Sequence, residues 1–149
     1  MDFLKNENFR YNTTTLTTNK RLLLLHYHIA DIYAAKRICE SVCGRVFLPV
    51  SSEENQQGAE FLSTNGLDFA WIRASDSYQE GIWKDLETLE DMKFTNWGSG
   101  EPNDYGSGED YAILNNNGYW IDISYDGYYE IYYRGYNARI LCELPNPAK

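Results

Sequence analysis

The apolar positions of the chain fall into short groups whose spacing changes along its length. Residues 8–28 are rich in threonine and leucine: Phe9, Tyr11, the run Thr13 to Thr18, then Leu22 to Tyr27. This composition, interrupted at Asn19-Lys20, predicts one or two strands with a turn at that pair. From Asp31 to Cys43 the period changes. Ile32, Ala35, Ile38, Cys39 and Val42 recur with the spacing of one helical face, and Gly44 follows as the expected stop. Val46 to Val50 predicts a short strand. Ser51-Ser52-Glu53-Glu54 reads as a capping box, Ser51 reaching forward and Glu54 reaching back. It opens a second amphipathic helix carrying Ala59, Phe61 and Leu62, which ends near Asn65-Gly66.

Beyond residue 66, Phe69 to Ile72 predicts a buried strand. Residues 73–110 are then polar and loop-like, punctuated by Gly81, Gly98, Gly100, Pro102, Gly106 and Gly108. A loop of that length in a compact domain is generally functional or disordered. Tyr111 to Leu114, Tyr119 to Ile123 and Ala138 to Leu144 predict three closing strands. Two early helices and several short strands around a long irregular segment indicate an α+β domain. With no internal repeat and no linker composition, residues 1–149 read as one domain.

Composition narrows the partners. Apolar residues at 43% and charged residues at 23% are those of a folded globular chain. Thirteen basic against 22 acidic residues give a formal net charge of −9. Such a surface repels nucleic-acid phosphates and anionic lipid, and suits cations or a positively charged partner. The longest aliphatic run, Leu22 to Leu25, is far below the roughly 20 residues that span a bilayer, so no membrane insertion is expected. Met1-Asp2-Phe3-Leu4-Lys5 has no apolar core of signal-peptide length. Either the chain is a mature form with its signal removed or it was never secreted. Three cysteines, Cys39, Cys43 and Cys142, lack zinc-site spacing. In an extracellular protein they would leave one bridge and one thiol. The single sequon is Asn12-Thr13-Thr14, compatible with secretion.

The long polar segment concentrates oxygen ligands. Asp76, Glu80, Glu101, Asn103, Asp104, Glu109, Asp110 and Asp122 lie in it or just after it. Seven are carboxylates, which repel one another unless a cation intervenes. Ca2+ takes six to eight oxygens at about 2.3–2.6 Å in flexible geometry. Composition leaves a second reading open, that of a solvated acidic loop, and the spacing is not that of an EF-hand.

The order within the run carries more. Glu101-Pro102-Asn103, then Glu109, then Trp120-Ile121-Asp122-Ile123, resembles the C-type lectin-like domain. The stretch from Glu101 to Asp110 is similar to the corresponding loop of its mannose-binding members. The resemblance covers roughly residues 31–144. It extends to Ala34 to Cys39, Ser51 to Asn55, Trp71-Ile72, Asn96-Trp97 and Cys142-Glu143. It implies two helices with short antiparallel sheets and a loop where calcium holds protein and sugar together. By that resemblance Glu101 and Asn103 flank a usually cis proline, Pro102. Glu109 and Asp122 are the other primary ligands, and Glu101, Asn103 and Glu109 also bond sugar hydroxyls. A carboxylate accepts from a hydroxyl and an amide nitrogen donates to one, so the order of acid and amide selects a hydroxyl geometry. The Glu-Pro-Asn order implies equatorial pairs, as in mannose, glucose, N-acetylglucosamine and fucose. Asp76, Glu80, Asp104 and Asp110 match an accessory calcium site, whose expected role is to order the loop.

Some positions depart from the pattern. The family's Trp-Asn-Asp is Trp120-Ile121-Asp122 here, so one side-chain oxygen and one donor are missing. The second family disulfide would join Tyr111 and Tyr125, so these two rings are expected to pack across the gap. Cys39 and Cys142 match the remaining family disulfide. Cys43 has no family partner and is read as a buried thiol or as an intermolecular bridge giving a homodimer. A Cys39–Cys43 bridge within one helix has poor geometry. Arg73 stands where the family commonly has glycine, with no consequence drawn.

Tyr125 to Tyr136 contains six tyrosines in twelve residues. It reads as a hairpin covering its own neighbours, as an aromatic platform for a sugar or a protein, or as a dimer contact. No catalytic constellation is evident. His26 and His28 have no carboxylate or nucleophile placed beside them, and Glu109-Asp110 is better explained by cation binding than by acid–base hydrolysis. The expectation is a secreted, non-catalytic, calcium-dependent binder of mannose-type carbohydrate. The alternative is a lectin-like domain that binds protein, ice or a surface without calcium, using the tyrosine-rich hairpin.

Overall fold

A computed structural model describes residues 11–26, 31–104, 108–124 and 138–145. The early threonine and leucine groups form a hairpin, β1 (Tyr11–Thr15) and β2 (Arg21–Leu25), with Asn19 in the left-handed region at φ 71°. Helix α1 (Ile32–Ser41), strand β3 (Arg45–Val46) and helix α2 (Ser52–Thr64) follow. Then come β4 (Phe69–Ser75), β5 (Lys84–Asp85), β6 (Tyr111–Asn115), β7 (Trp120–Ile123) and β8 (Ala138–Leu144). The sheet runs β1-β2-β8-β4-β6-β7, with β3 added to β8 and β5 to β4. All its pairings are antiparallel except β4 with β8. The α+β class follows directly.

Four consecutive leucines fit one strand because the sheet is covered on both faces. Leu23 and Leu25 join Ile32, Ala35 and Cys39 of α1, together with Trp71 and Ile113, in one core. Leu22 and Leu24 join Leu62 of α2, Ile72, Leu114 and Trp120 in the other. The same alternation divides β4, with Phe69 and Trp71 on the α1 side and Ala70, Ile72 and Ala74 on the α2 side.

The helix ends differ from expectation in detail. The Asp31 carboxylate caps α1, accepting from the Ala34 N–H at 2.7 Å. Gly44 is not the left-handed stop. Cys43 takes that conformation at φ 62°, with its N–H on Glu40 O and the Gly44 N–H on Cys39 O, a Schellman closure. Gly44 is required for another reason: a Cβ there would lie 2.7 Å from the Glu143 carbonyl oxygen. Cys43 is exposed, which corrects the reading of a buried thiol, and Cys39 is bonded to Cys142. The Ser51 hydroxyl accepts from Glu54 N–H at 3.1 Å, but the Glu54 carboxylate accepts from Val50 N–H and from Lys20 rather than from Ser51. The strand expected over Val46 to Val50 stops at Val46. Beyond it, Phe47 donates to Leu141 and accepts from Arg73, and the Leu48 N–H turns to the Glu143 carboxylate.

Arg73, which carried no prediction, holds the loop base. It is buried, donates to both Asp85 carboxylate oxygens at 3.0 and 3.1 Å, to Val46 O at 2.6 Å, and lies 3.2 Å from Glu143. Burial works to raise the Asp85 pKa, but the Arg73 guanidinium and the Glu87 and Thr88 N–H groups outweigh it and hold that carboxyl below its ordinary value. Glu54 is likewise held low against its burial by Lys20, Val50 N–H and Thr18.

Both lowered carboxyls contribute stability that is full above about pH 4.5, the unfolded carboxylate range, and is lost as pH falls through their folded values. Asp85→Asn is expected to cost about 3 kcal/mol at neutral pH and to flatten the acid limb of a stability-versus-pH curve measured by urea unfolding. An unchanged acid limb would contradict this. The disulfide closes a separation of 103 residues. By chain entropy, Cys142→Ser loses about 4–5 kcal/mol in the same assay.

Candidate metal and ligand site

The loop bearing the acidic run is pinned to β7 by Trp120. Its backbone N–H donates to Asn96 O and its carbonyl accepts from Gly98 N–H, each at 2.9 Å. The indole is fully buried, and its Nε1–H donates to Asn55 Oδ1 of α2 at 2.7 Å. Asn55 and Asn96 both donate to Gly118 O in the β6–β7 turn. Gly118 has φ 93°, and a Cβ there would lie 3.2 Å from the Asn55 amide nitrogen. The Glu101 N–H then returns to Gly98 O, which sets Glu101 beside the end of β7.

Asp122, 1% exposed, is the centre of the first group. Its two carboxylate oxygens accept from the backbone N–H groups of Asn103 at 3.0 Å and Asp104 at 2.8 Å. The Glu101–Pro102 peptide bond is cis. Asn103 is exposed and its amide donates to Glu101 Oε1 at 3.1 Å. Glu101 Oε2 is buried and receives no hydrogen bond. Burial, the facing Asp122 carboxylate and Glu109 push Glu101 up to about 8. Glu109 is buried too. Glu101, Asn103 and Asp122 therefore lie together at one rim, Asn103 exposed and Glu101 half-buried, with Glu109 near enough for its charge to act on Glu101.

A second group lies alongside. Carboxylate oxygens of Asp76, Glu80 and Asp110 all come within 4.8 Å of one another. Asp76 Oδ2 accepts from Gly81 N–H, while Oδ1 is buried and receives nothing. Burial and then Glu80 push Asp76 up to about 6, and burial and Asp76 raise Asp110. Asp104 sits between the groups: its Oδ1 accepts from Glu109 N–H, and its charge adds to the rise at Asp110. Asp110 and Asp122 meet because β6 and β7 pair with Ala112 opposite Asp122.

Hard oxygen donors, two buried oxygens without a donor, and carboxyls raised by one another fit a divalent cation. A cation would supply the positive charge that burial and the neighbouring carboxylates make Glu101 and Asp76 lack.

Ser75 supports the site without having carried any sequence signal, and two positions singled out in the sequence prove to be packing residues. The Ser75 hydroxyl donates to Asp110 O at 2.7 Å and accepts from Ser77 N–H at 3.0 Å, fixing the Asp76 turn. Ile121 packs against the α1-side core with Ile123, on the opposite side of the strand from Asp122. The Tyr111 ring meets Tyr33 of α1 edge-on at 5.7 Å, and the two hydroxyls are bonded. Its expected neighbour Tyr125 lies outside the described residues, as do the rest of the tyrosine-rich segment, His28 and residues 105–107.

A family model described as the lectin C-type domain matches residues 30–130. The hepatic lectin of Gallus gallus is 32% identical over 116 residues, 77% of this chain and 50% of that protein, so the chain spans about half its length. The mouse scavenger receptor C-type lectin carbohydrate-recognition domain superposes with a TM-score of 0.69 at 28% identity, covering 92% of this chain and 95% of that one. The cow CD23 C-type carbohydrate-recognition domain, solved in the presence of a GlcNAc2Man3 oligosaccharide, shares the fold with a TM-score of 0.64, 24% identity and 92% coverage of both chains. The sequence match and the shared fold together make this chain a member of the C-type lectin domain family, whose modules recognise rather than catalyse.

Proposed function

We propose that the chain is an extracellular, calcium-dependent carbohydrate-binding domain with a mannose-type preference. The observation that carries this is the pair of buried oxygens, Glu101 Oε2 and Asp76 Oδ1, each facing other carboxylates with no donor. Glu101, Asn103, Glu109 and Asp122 hold the primary ion. When bound, it supplies coordination positions that two adjacent sugar hydroxyls occupy in place of water. Glu101 and Glu109 accept hydrogen bonds from those hydroxyls, and the Asn103 amide donates. Asn103 stands exposed at the end of the rim with Glu101 half-buried beside it, where a sugar reaches them without entering the core. Ile121 contributes packing rather than oxygen, so an ion here would find one protein oxygen fewer. Asp76, Glu80 and Asp110, with Asp104 adjoining, hold the accessory ion and stiffen the loop. Family membership and the oligosaccharide present with the cow CD23 domain support carbohydrate as the ligand class. The Cys39–Cys142 bridge suits an oxidising, extracellular setting. Exposed Cys43 is available for an intermolecular bridge between two copies.

Binding to the folded state alone stabilises it. Ca2+ at about 100 times its Kd is expected to add about 2.7 kcal/mol, seen as a higher Tm that EDTA reverses. Retention on mannose resin should vanish with EDTA; retention that ignores EDTA would overturn the metal-bridged reading. Glu101→Gln should weaken mannose retention at least tenfold while the EDTA-sensitive part of the Tm shift survives through Asp76, Glu80 and Asp110. In Asp76→Asn that shift should shrink, as read by scanning calorimetry across a Ca2+ titration.

A further inference from the structure

We infer that Asn12 is an N-glycosylation site and that its glycan covers the free edge of the sheet. Asn12 lies on β1, the last strand of the sheet order, and no described strand pairs with its outer side. Asn12 pairs with Leu24, and the Leu16 N–H donates to Lys20 O. Alternation from that bond turns the backbone groups of Tyr11, Thr13 and Thr15 outward. An edge strand of this kind is a template for pairing with another chain, and proteins normally blunt it with charge, proline or a bulge. Tyr11-Asn12-Thr13-Thr14-Thr15 contains no charged residue and no proline, and its register with β2 is regular. What it does contain is the chain's one Asn-x-Thr sequence, beginning at the exposed Asn12.

The local chemistry is compatible with that modification. His26 Nε2 contacts Asn12 through Oδ1, the oxygen that keeps its place when the amide nitrogen is substituted. Beside Asn12 an open groove of about 530 Å3 separates β1 from α2, with Thr14, Gln57, Glu60 and Phe61 in its walls. Hydroxyls, amides and a ring edge suit the first sugars of a glycan. The reaction is transfer from a lipid pyrophosphate-linked oligosaccharide. A bond forms between Asn12 Nδ2 and the anomeric carbon, and that carbon's bond to the pyrophosphate breaks. One amide proton passes to base, and the lipid pyrophosphate leaves. The Cys39–Cys142 disulfide independently fits passage through the oxidising compartment where this transfer occurs. The inference shares with the proposed function only that secretory route.

The test is secretion of the full chain from cultured eukaryotic cells, with intact-mass measurement before and after peptide N-glycosidase. One glycan mass that the enzyme removes is expected, and it should be absent in Thr14→Ala, which deletes the sequon but keeps Asn12 and its His26 contact. A bare polypeptide mass from secreted wild type would overturn the site. Sedimentation with Cys43 alkylated tests the covering role: Thr14→Ala and natively deglycosylated protein should dimerise at concentrations where the glycosylated form stays monomeric. Equal monomeric behaviour would overturn that role and leave the modification standing. Mannose retention with Ca2+ should be the same in Thr14→Ala as in wild type, so failure of either reading is recognisable separately.

Discussion

Carboxylates crowded into a partly dry pocket require a counter-charge, and this domain meets that requirement in two ways. Around β4 the chain provides it: Arg73 grips Asp85 and reaches Glu143, and Lys20 grips Glu54. Around the end of β7 no described lysine or arginine pairs with Glu101, Asp76 or Asp122. Burial and the neighbouring carboxylates raise both Glu101 and Asp76, Glu101 more, which marks the missing counter-charge. A doubly charged ion would satisfy several such oxygens at once. The scaffold is therefore finished at the arginine end and open at the loop end, and ligand chemistry belongs at the open end.

Rigid elements keep that open end in place. Trp120 is the link between core and loop, buried in one core while its backbone bonds both sides of the Asn96–Gly98 turn. Asn55 ties it to α2, so the helix, the β6–β7 turn and the acidic rim share one hydrogen-bonded frame. Pre-organisation of this kind lowers the ordering cost of binding. The loop itself has little regular structure, yet its acidic side chains are set by strand register and by backbone N–H groups on Asp122.

Local patterns were legible in the sequence wherever one short-range rule governed them. The helical spacing from Ile32 to Val42, the Asn19 turn and the Ser51 cap all reappear as elements. The leucine run was legible as strand, though not its burial on both faces, which depends on two helices distant in sequence. The resemblance named Cys39 and Cys142 as partners, and the structure joins them. Other features needed the third dimension. Gly44 looked like a helix stop, but the constraint on it comes from Glu143 on β8. Arg73 carried no message in isolation because its partners are 12, 27 and 70 residues away. The resemblance already divided the acidic positions into two groups; what it did not carry is that Asp104, assigned to the second, also accepts from the Glu109 N–H and so lies between them.

The sheet order places β8, the last of the described strands along the chain, between β2 and β4 near its middle. Leu22 to Leu25 have their partners in Ile140 to Glu143, more than a hundred residues downstream. The β1–β2 hairpin therefore cannot bury its leucines against their final partner until β8 has been made, so the sheet closes late in the making of this domain. A polypeptide cut short before residue 138 loses not a dispensable tail but the keystone strand, and with it the partner cysteine of α1.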